Sequence, residues 1–155
     1  MLKNKFISFI LFFIITYSAS FIGGMVTISL KEPWYSQLVK SNYNPPDWVF
    51  APVWTTLYLM MTLAIWFYWH SKNRKMNTIY IYFIHIAFNT TWTIVFFGMH
   101  QILSALIVLM ILIVLIIILI FKFKSVNYTS SLLMIPYLLW CCYALFLNFN
   151  LYILN

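Results

Sequence analysis

Charge is scarce in this sequence, and negative charge is nearly absent. Its 155 residues include nine Lys and Arg but only two acids, Glu32 and Asp47. Charged residues make up 7% of the chain, where a soluble domain carries roughly a quarter. There is no polar surface with which to solvate a globule, so a soluble fold is excluded. Neither acid lies in the middle of an apolar run, which removes the carboxylate proton relay common in transporters. Cysteine is limited to the adjacent pair Cys141 and Cys142. Neighbouring cysteines rarely bridge and no metal-ligand spacing surrounds them, so both read as small apolar packing residues. The three histidines fall at 70, 85 and 100. His70 and His100 belong to opposite ends of the bundle, so the three cannot share a metal, and no metal site is expected. Nucleotide-binding loops and nucleophile–base motifs are also missing.

What is present is apolar: 65% of residues are hydrophobic and 21% aromatic. The fold class expected is an all-α integral membrane bundle, one domain over residues 1–155. Its five spanning helices fall at about 6–30, 47–70, 78–98, 102–121 and 129–153, with one long loop at 31–46. Each run is long enough for a bilayer core about 30 Å thick. The first run resembles a signal peptide, with Lys3 and Lys5 before it and Ser18-Ala19-Ser20 as a cleavage-like site. Apolar character continues through Phe21, Ile22, Met25, Val26 and Ile28, so a retained span is expected. Ala19, Gly23 and Thr27 recur every fourth residue, as do Ser20 and Gly24. That small-residue pattern permits close helix contact, and packing within the chain is favoured over a dimer.

The segment from Ser41 to Tyr58 organises the rest. Pro45 and Pro46 forbid a regular helix before Asp47 and suit the start of one there. Pro52 lies one turn inside, where a freed carbonyl can bend the helix or face a cavity. Trp54 and Tyr58 share a face. The loop before this helix holds Trp34 and Tyr35, too aromatic for a free linker, and is expected to fold over the bundle end as a lid.

Charge placement orients the chain. Lys3, Lys5, Lys72, Arg74, Lys75, Lys122 and Lys124 fall on the N-terminal side, and Lys31 and Lys40 on the other. The positive-inside rule puts the N-terminus in the cytoplasm. The net charge of +7 thus belongs to lipid contact and orientation, and no nucleic-acid partner is expected.

Polar side chains at membrane depth are expensive on a lipid face and mark an interior or a cavity. His85, Asn89, Trp92 and Phe96 form one face of the third span. Tyr137, Trp140, Ala144 and Leu151, with Asn148 nearby, form a face of the fifth. With Trp54, Tyr58 and Met61 of the second, they have the makeup of a pocket for a flat apolar ligand. Each stripe alone also reads as packing. The fourth span has only Ser104 as a polar side chain and is expected to be the most lipid-exposed.

These stretches together resemble a known family. They are Gly23-Gly24 with Thr27; Trp34-Tyr35; Asn44-Pro45-Pro46-Asp47-Trp48-Val49-Phe50-Ala51-Pro52-Val53-Trp54 with Leu57-Tyr58; Phe88-Asn89 with Trp92 and Phe96-Phe97-Gly98; and Pro136-Tyr137-Leu138 with Trp140, Ala144 and Leu147-Asn148. In this order they resemble the TspO/MBR family, the tryptophan-rich sensory proteins of bacteria and the translocator proteins, or peripheral benzodiazepine receptors, of mitochondria. The resemblance implies a five-helix bundle, often a homodimer, in a bacterial cell membrane, with a pocket open toward the first loop. It implies porphyrins such as protoporphyrin IX as ligands, and isoquinoline carboxamide and benzodiazepine drugs. Ligand contacts would come from Trp34, Trp54, Tyr58, His85, Asn89, Trp92, Tyr137, Trp140, Ala144 and Asn148. No cofactor is required; porphyrin is ligand or substrate. Sensing or transport is the main expectation. The alternative is light- and oxygen-dependent breakdown of protoporphyrin IX, with Trp54 and Trp140 as the catalytic pair.

Two departures stand out. His85 occupies a position where the family commonly has Gln. It reads as a hydrogen-bonding pocket residue, although an imidazole is also an iron ligand for haem. No Lys or Arg follows Tyr152, so the cholesterol motif of mitochondrial members is not matched.

Overall fold

The computed structural model describes residues 4–155. Lys3, counted above among the N-terminal cations, lies outside them. All regular structure among the described residues is helical: α1 (Lys5–Leu30), the short α2 (Trp34–Gln37), α3 (Phe50–Trp69), α4 (Met76–Thr93), α5 (Ile102–Lys124) and α6 (Tyr128–Leu154). A 3-10 turn at Asp47–Val49 leads into α3, and a π-helical turn at Ile94–Gly98 extends α4. Among the described residues, five segments are long and apolar enough to cross a bilayer.

Capping chemistry sets the ends. Asn4 accepts hydrogen bonds from the N–H groups of Phe6 at 2.9 Å and Ile7 at 3.2 Å, satisfying two free donors at the start of α1. Asn127 does the same for Ser130 at 3.0 Å and donates its amide to Ser71 Oγ at 3.1 Å, joining two loops on the N-terminal face. On that face His70, just beyond α3, meets Ser8 Oγ at 2.8 Å. Partial burial, then the nearby cations Lys5 and Arg74, hold its imidazole below the ordinary value. Pro52 sits in the first α-turn of α3 and about one turn into the helical run that opens at Asp47, as expected. Its carbonyl accepts from Thr56 Oγ1 at 2.9 Å.

The helices close into a ring. α1 packs on α3 and α4, α4 on α5, α5 on α6, and α6 returns to α3; the consecutive pair α3 and α4 scarcely touch. The ring encloses a core that includes Phe12, Met61, Tyr68, Tyr82, Ile116 and Tyr137. Ala19 is buried in the core and Gly23 lies at the contact of α1 with Thr93 of α4. A Cβ at Gly23 would stand 3.3 Å from Thr93 Oγ1, so these small residues serve packing within the chain, as expected.

α5 differs from expectation. It has seven buried residues, as many as α3. Ala105, Leu109, Leu112, Ile116, Leu119 and Phe123 are all buried and recur at alternating steps of four and three. That is a packing seam at the period of 3.5 residues, facing α4 and α6. A helix apolar on every side hides such a seam from sequence reading.

Candidate functional site

At the end of the ring away from the N-terminus lies a cavity of about 410 Å³. This is within the usual range for small-molecule sites, about 300–1,000 Å³. α1, α3, the α4 end and α6 wall it, and the loop over residues 31–46 covers it with Tyr35 and Asn44. No α5 residue reaches it.

The cover is fastened to the bundle. Tyr35 is buried edge-on against Phe96 and Phe97, 6.2 and 5.6 Å between ring centres. Its hydroxyl faces Asn44 Oδ1 at 3.4 Å. Burial first, then the charges of Asp47 and Glu32, hold that phenol above its ordinary value, so it stays neutral. Tyr143 of α6 donates to the Tyr43 carbonyl at 2.7 Å, and Asn155 bonds both the N–H and the carbonyl of Val39. Removing the Tyr143 tether with Tyr143→Phe is expected to speed ligand release by about threefold, the worth of one modest hydrogen bond. Stopped-flow dissociation checks this; an off-rate matching the unaltered chain would show that the loop is not the exit barrier.

Aromatic rings line the interior. Trp54, on α3, is half-buried on the cavity wall beside Tyr58, with ring centres 5.6 Å apart. On α4, Trp92 and Phe96 stack at 5.5 Å with planes 12° apart. The π-helical turn widens the helix here, so that the successive residues Phe96 and Phe97 both line the cavity. π-Helical turns are frequent at functional sites. From α6 come Ala144, Leu147, Asn148 and Leu151. Trp92 Nε1 donates to Asn148 Oδ1 at 3.3 Å, and Asn148 Nδ2 donates to the Ile102 carbonyl at 3.0 Å. This fixes the orientation of the Asn148 amide.

Beneath the cavity is a buried polar layer. Tyr58 donates to Asn89 Oδ1 at 2.6 Å, and Asn89 Nδ2 donates to the Tyr137 hydroxyl at 3.0 Å. Thr16 Oγ1 and the Tyr82 hydroxyl pair at 2.6 Å. His85 Nδ1 lies 2.7 Å from the Tyr82 carbonyl and so carries the proton, leaving Nε2 with no hydrogen-bond partner among the described residues.

The residues singled out by sequence therefore divide. Trp54, Tyr58, Trp92, Ala144 and Asn148 line the cavity. Asn89, Tyr137 and His85 form the layer below and do not line it. His85 is wholly buried, with its ring edge-on to Tyr137 at 5.7 Å, and is not among the residues that line the cavity. Trp140 stands one ring back: Phe50 lines the cavity and packs edge-on against it at 5.9 Å. Trp34 lies outside, stacked on His100 at 4.5 Å. Sequence reasoning missed the α1 wall, Ser20, Gly23, Gly24, Thr27 and Ile28, and the charged pair Lys31 and Asp47 at the rim. The Ser20–Gly24 spacing was a signal, but it matched the packing signal of Ala19–Gly23. Among the described residues no group of His, Cys, Asp and Glu is arranged to hold a metal ion.

Comparison with known proteins agrees with this architecture. Residues 10–154 match the TspO/MBR family. The tryptophan-rich sensory protein of Cereibacter sphaeroides is 35% identical over 143 residues, covering 91% of this chain and 90% of that one. The tryptophan-rich protein TspO of Chlorobaculum tepidum is 33% identical over 145 residues, 89% of each chain. The translocator protein of Homo sapiens is 29% identical over 133 residues, 83% of this chain and 79% of that one. With five apolar helices in one ring and a match along nearly its whole length, the chain is a multi-pass integral membrane protein that belongs to the TspO/MBR family.

Proposed function

We propose that the protein binds tetrapyrroles of the protoporphyrin IX type in the membrane and acts in porphyrin sensing or transport. The cavity carries this reading. It has the volume of a small-molecule site, aromatic walls from α3 and the α4 end with Tyr35 of the cover, and a few fixed polar groups, the makeup that suits a flat, largely apolar ligand. The relatives support it by name, one as a sensory protein and another as a translocator. The same walls suit isoquinoline carboxamide and benzodiazepine-like molecules. The proposal includes a bacterial cell membrane, a cytoplasmic N-terminus and assembly as a homodimer. Iron ligation by His85 is not part of it, because His85 does not line the cavity.

A dark titration of the purified protein with protoporphyrin IX tests this, read by tryptophan quenching. Saturable binding above that of empty micelles is the expected result. Binding no stronger than that of empty micelles would overturn the reading and leave the polar layer as a device for packing.

The second reading, photochemical breakdown of porphyrin, is favoured by the indole of Trp54 on the cavity wall. An excited porphyrin takes an electron from an adjacent indole without acid–base machinery; the reduced porphyrin adds dioxygen and its ring opens, and the electron returns to the indole, so porphyrin is oxidised by dioxygen and the tryptophan is regenerated. If this occurs, illumination in air destroys porphyrin with turnover, and Trp54→Phe removes the loss while dark binding persists. Trp140→Phe is expected to have the smaller effect, since Phe50 stands between Trp140 and the cavity. Equal effects of the two substitutions, or loss no faster than that of free porphyrin, would rule out this version.

A further inference from the structure

The cavity is apolar along its walls but charged at its rim. Of the residues that line it, only Lys31 and Asp47 carry charge. They stand at the two ends of the covering loop and form an ion pair across it. Each suits its place. Lys31 caps the C-terminal end of α1, where a cation meets free carbonyls, and Asp47 opens the turn into α3, where an anion meets free N–H groups.

The two partners are not held equally. The side chain of Lys31 is 18% exposed and that of Asp47 62%. Lys31 Nζ also lies 4.8 Å from the centre of the Tyr35 ring and 3.9 Å from Glu32, so the ammonium is sunk against the cover. Asp47 holds no other side-chain contact of this kind among the described residues. The pair is thus a positioned cation and an anion free to turn away. An ion pair with one exposed member contributes little net stability, so an incoming anion can exchange with it cheaply. The other cation of this end, Lys40, lies 4.2 Å from the centre of the Tyr35 ring and does not line the cavity. A ligand carboxylate entering an apolar site without a counter-charge meets a heavy desolvation cost, and Lys31 is the one wall group that offsets it.

We propose that Lys31 is the anion-recognising group of the cavity, that its ligands are flat apolar molecules bearing a carboxylate at one edge, and that Asp47 is an internal stand-in which this carboxylate displaces. The inference rests on the tetrapyrrole reading above and gives it chemical selectivity: an acid is preferred over its neutral ester. Asp47 then acts as a latch that closes the rim when the cavity is empty and yields to the ligand.

The test compares protoporphyrin IX, a diacid, with its dimethyl ester in dark titrations. The unaltered chain, Lys31→Met and Asp47→Asn are each titrated with both. Lys31→Met is expected to weaken the diacid by about tenfold and leave the ester unchanged, in keeping with loss of one charge-assisted hydrogen bond. Asp47→Asn is expected to tighten the diacid, because the internal competitor is gone, with the ester again unmoved. Ester affinity reports in the same sample that each variant is folded. Equal shifts for diacid and ester in Lys31→Met, or weaker diacid binding in Asp47→Asn, would overturn the proposal and leave tetrapyrrole binding standing. If the unaltered chain binds neither compound, the tetrapyrrole reading falls and this inference with it.

Discussion

Replacing Gly24 with Leu is expected to lower ligand affinity by about a hundredfold or more while the bundle stays folded. Gly23 and Gly24 are neighbours that both line the cavity, but only Gly24 has open space where a side chain would be. A Cβ on Gly23 would press on Thr93 at 3.3 Å, whereas a Cβ on Gly24 meets nothing within 4 Å. Gly24 lines the cavity, so the missing atoms of its side chain are ligand space. Leu there projects its branched chain into that space and competes with any flat molecule lying against α1. The helix itself gains, because Gly in a helix interior costs roughly 1 kcal/mol relative to Ala. Gly24→Ala is therefore expected to raise thermal stability slightly with little effect on binding. Gly23→Leu forces α1 from α4 and is expected to lower stability sharply. Protoporphyrin IX titration and thermal melts of the three variants separate these outcomes. A folded Gly24→Leu protein that binds porphyrin as tightly as the parent would place the ligand outside this cavity.

The contrast between those glycines shows where sequence reading stops. Hydropathy dictates the five spans, because a 30 Å apolar slab leaves few ways to satisfy the backbone. Pro45 and Pro46 likewise mark the start of the second span, since proline excludes other local choices. Asn89 was legible as an interior residue because a bare amide in lipid is too costly. Its position below the cavity, not on it, was not legible: a helix face gives direction around an axis but not what fills the space ahead. Trp140 shows the same limit, for nothing in its spacing tells that Phe50 intervenes. The π-helical turn at Ile94–Gly98 was invisible, since an apolar run reads equally well at either pitch. The buried seam of α5 was hidden by its uniform apolarity. Lys31 and Asp47 meet only when the loop between them closes, so neither residue announces the other.

Asn89→Ala is expected to cost about 2–3 kcal/mol, the combined loss of two buried hydrogen bonds and of the solvation of the groups left behind. Asn89 bridges two helices through its amide, accepting from Tyr58 on α3 and donating to Tyr137 on α6. Both phenols are buried, and the Tyr137 hydroxyl also pairs with the Cys141 thiol. Truncation strands the Tyr58 donor and leaves the Tyr137 hydroxyl with the weaker thiol of Cys141 alone. The penalty belongs to the orphaned groups more than to the lost bonds, which makes a sharp expectation for the double variant. Removing the stranded donor as well, in Asn89→Ala with Tyr58→Phe, should recover part of the loss instead of adding to it. The cavity is expected to follow, because Trp54 leans on both Tyr58 and Tyr137, with ring centres 5.6 and 6.3 Å away. A floor that loosens lets Trp54 tilt, so Asn89→Ala should weaken porphyrin binding even though Asn89 does not touch the cavity. Thermal melts of the two single variants and the double, with binding measured on each, close the cycle. Strict additivity of the stability losses would show that Asn89 and Tyr58 act independently and that the layer is ordinary packing.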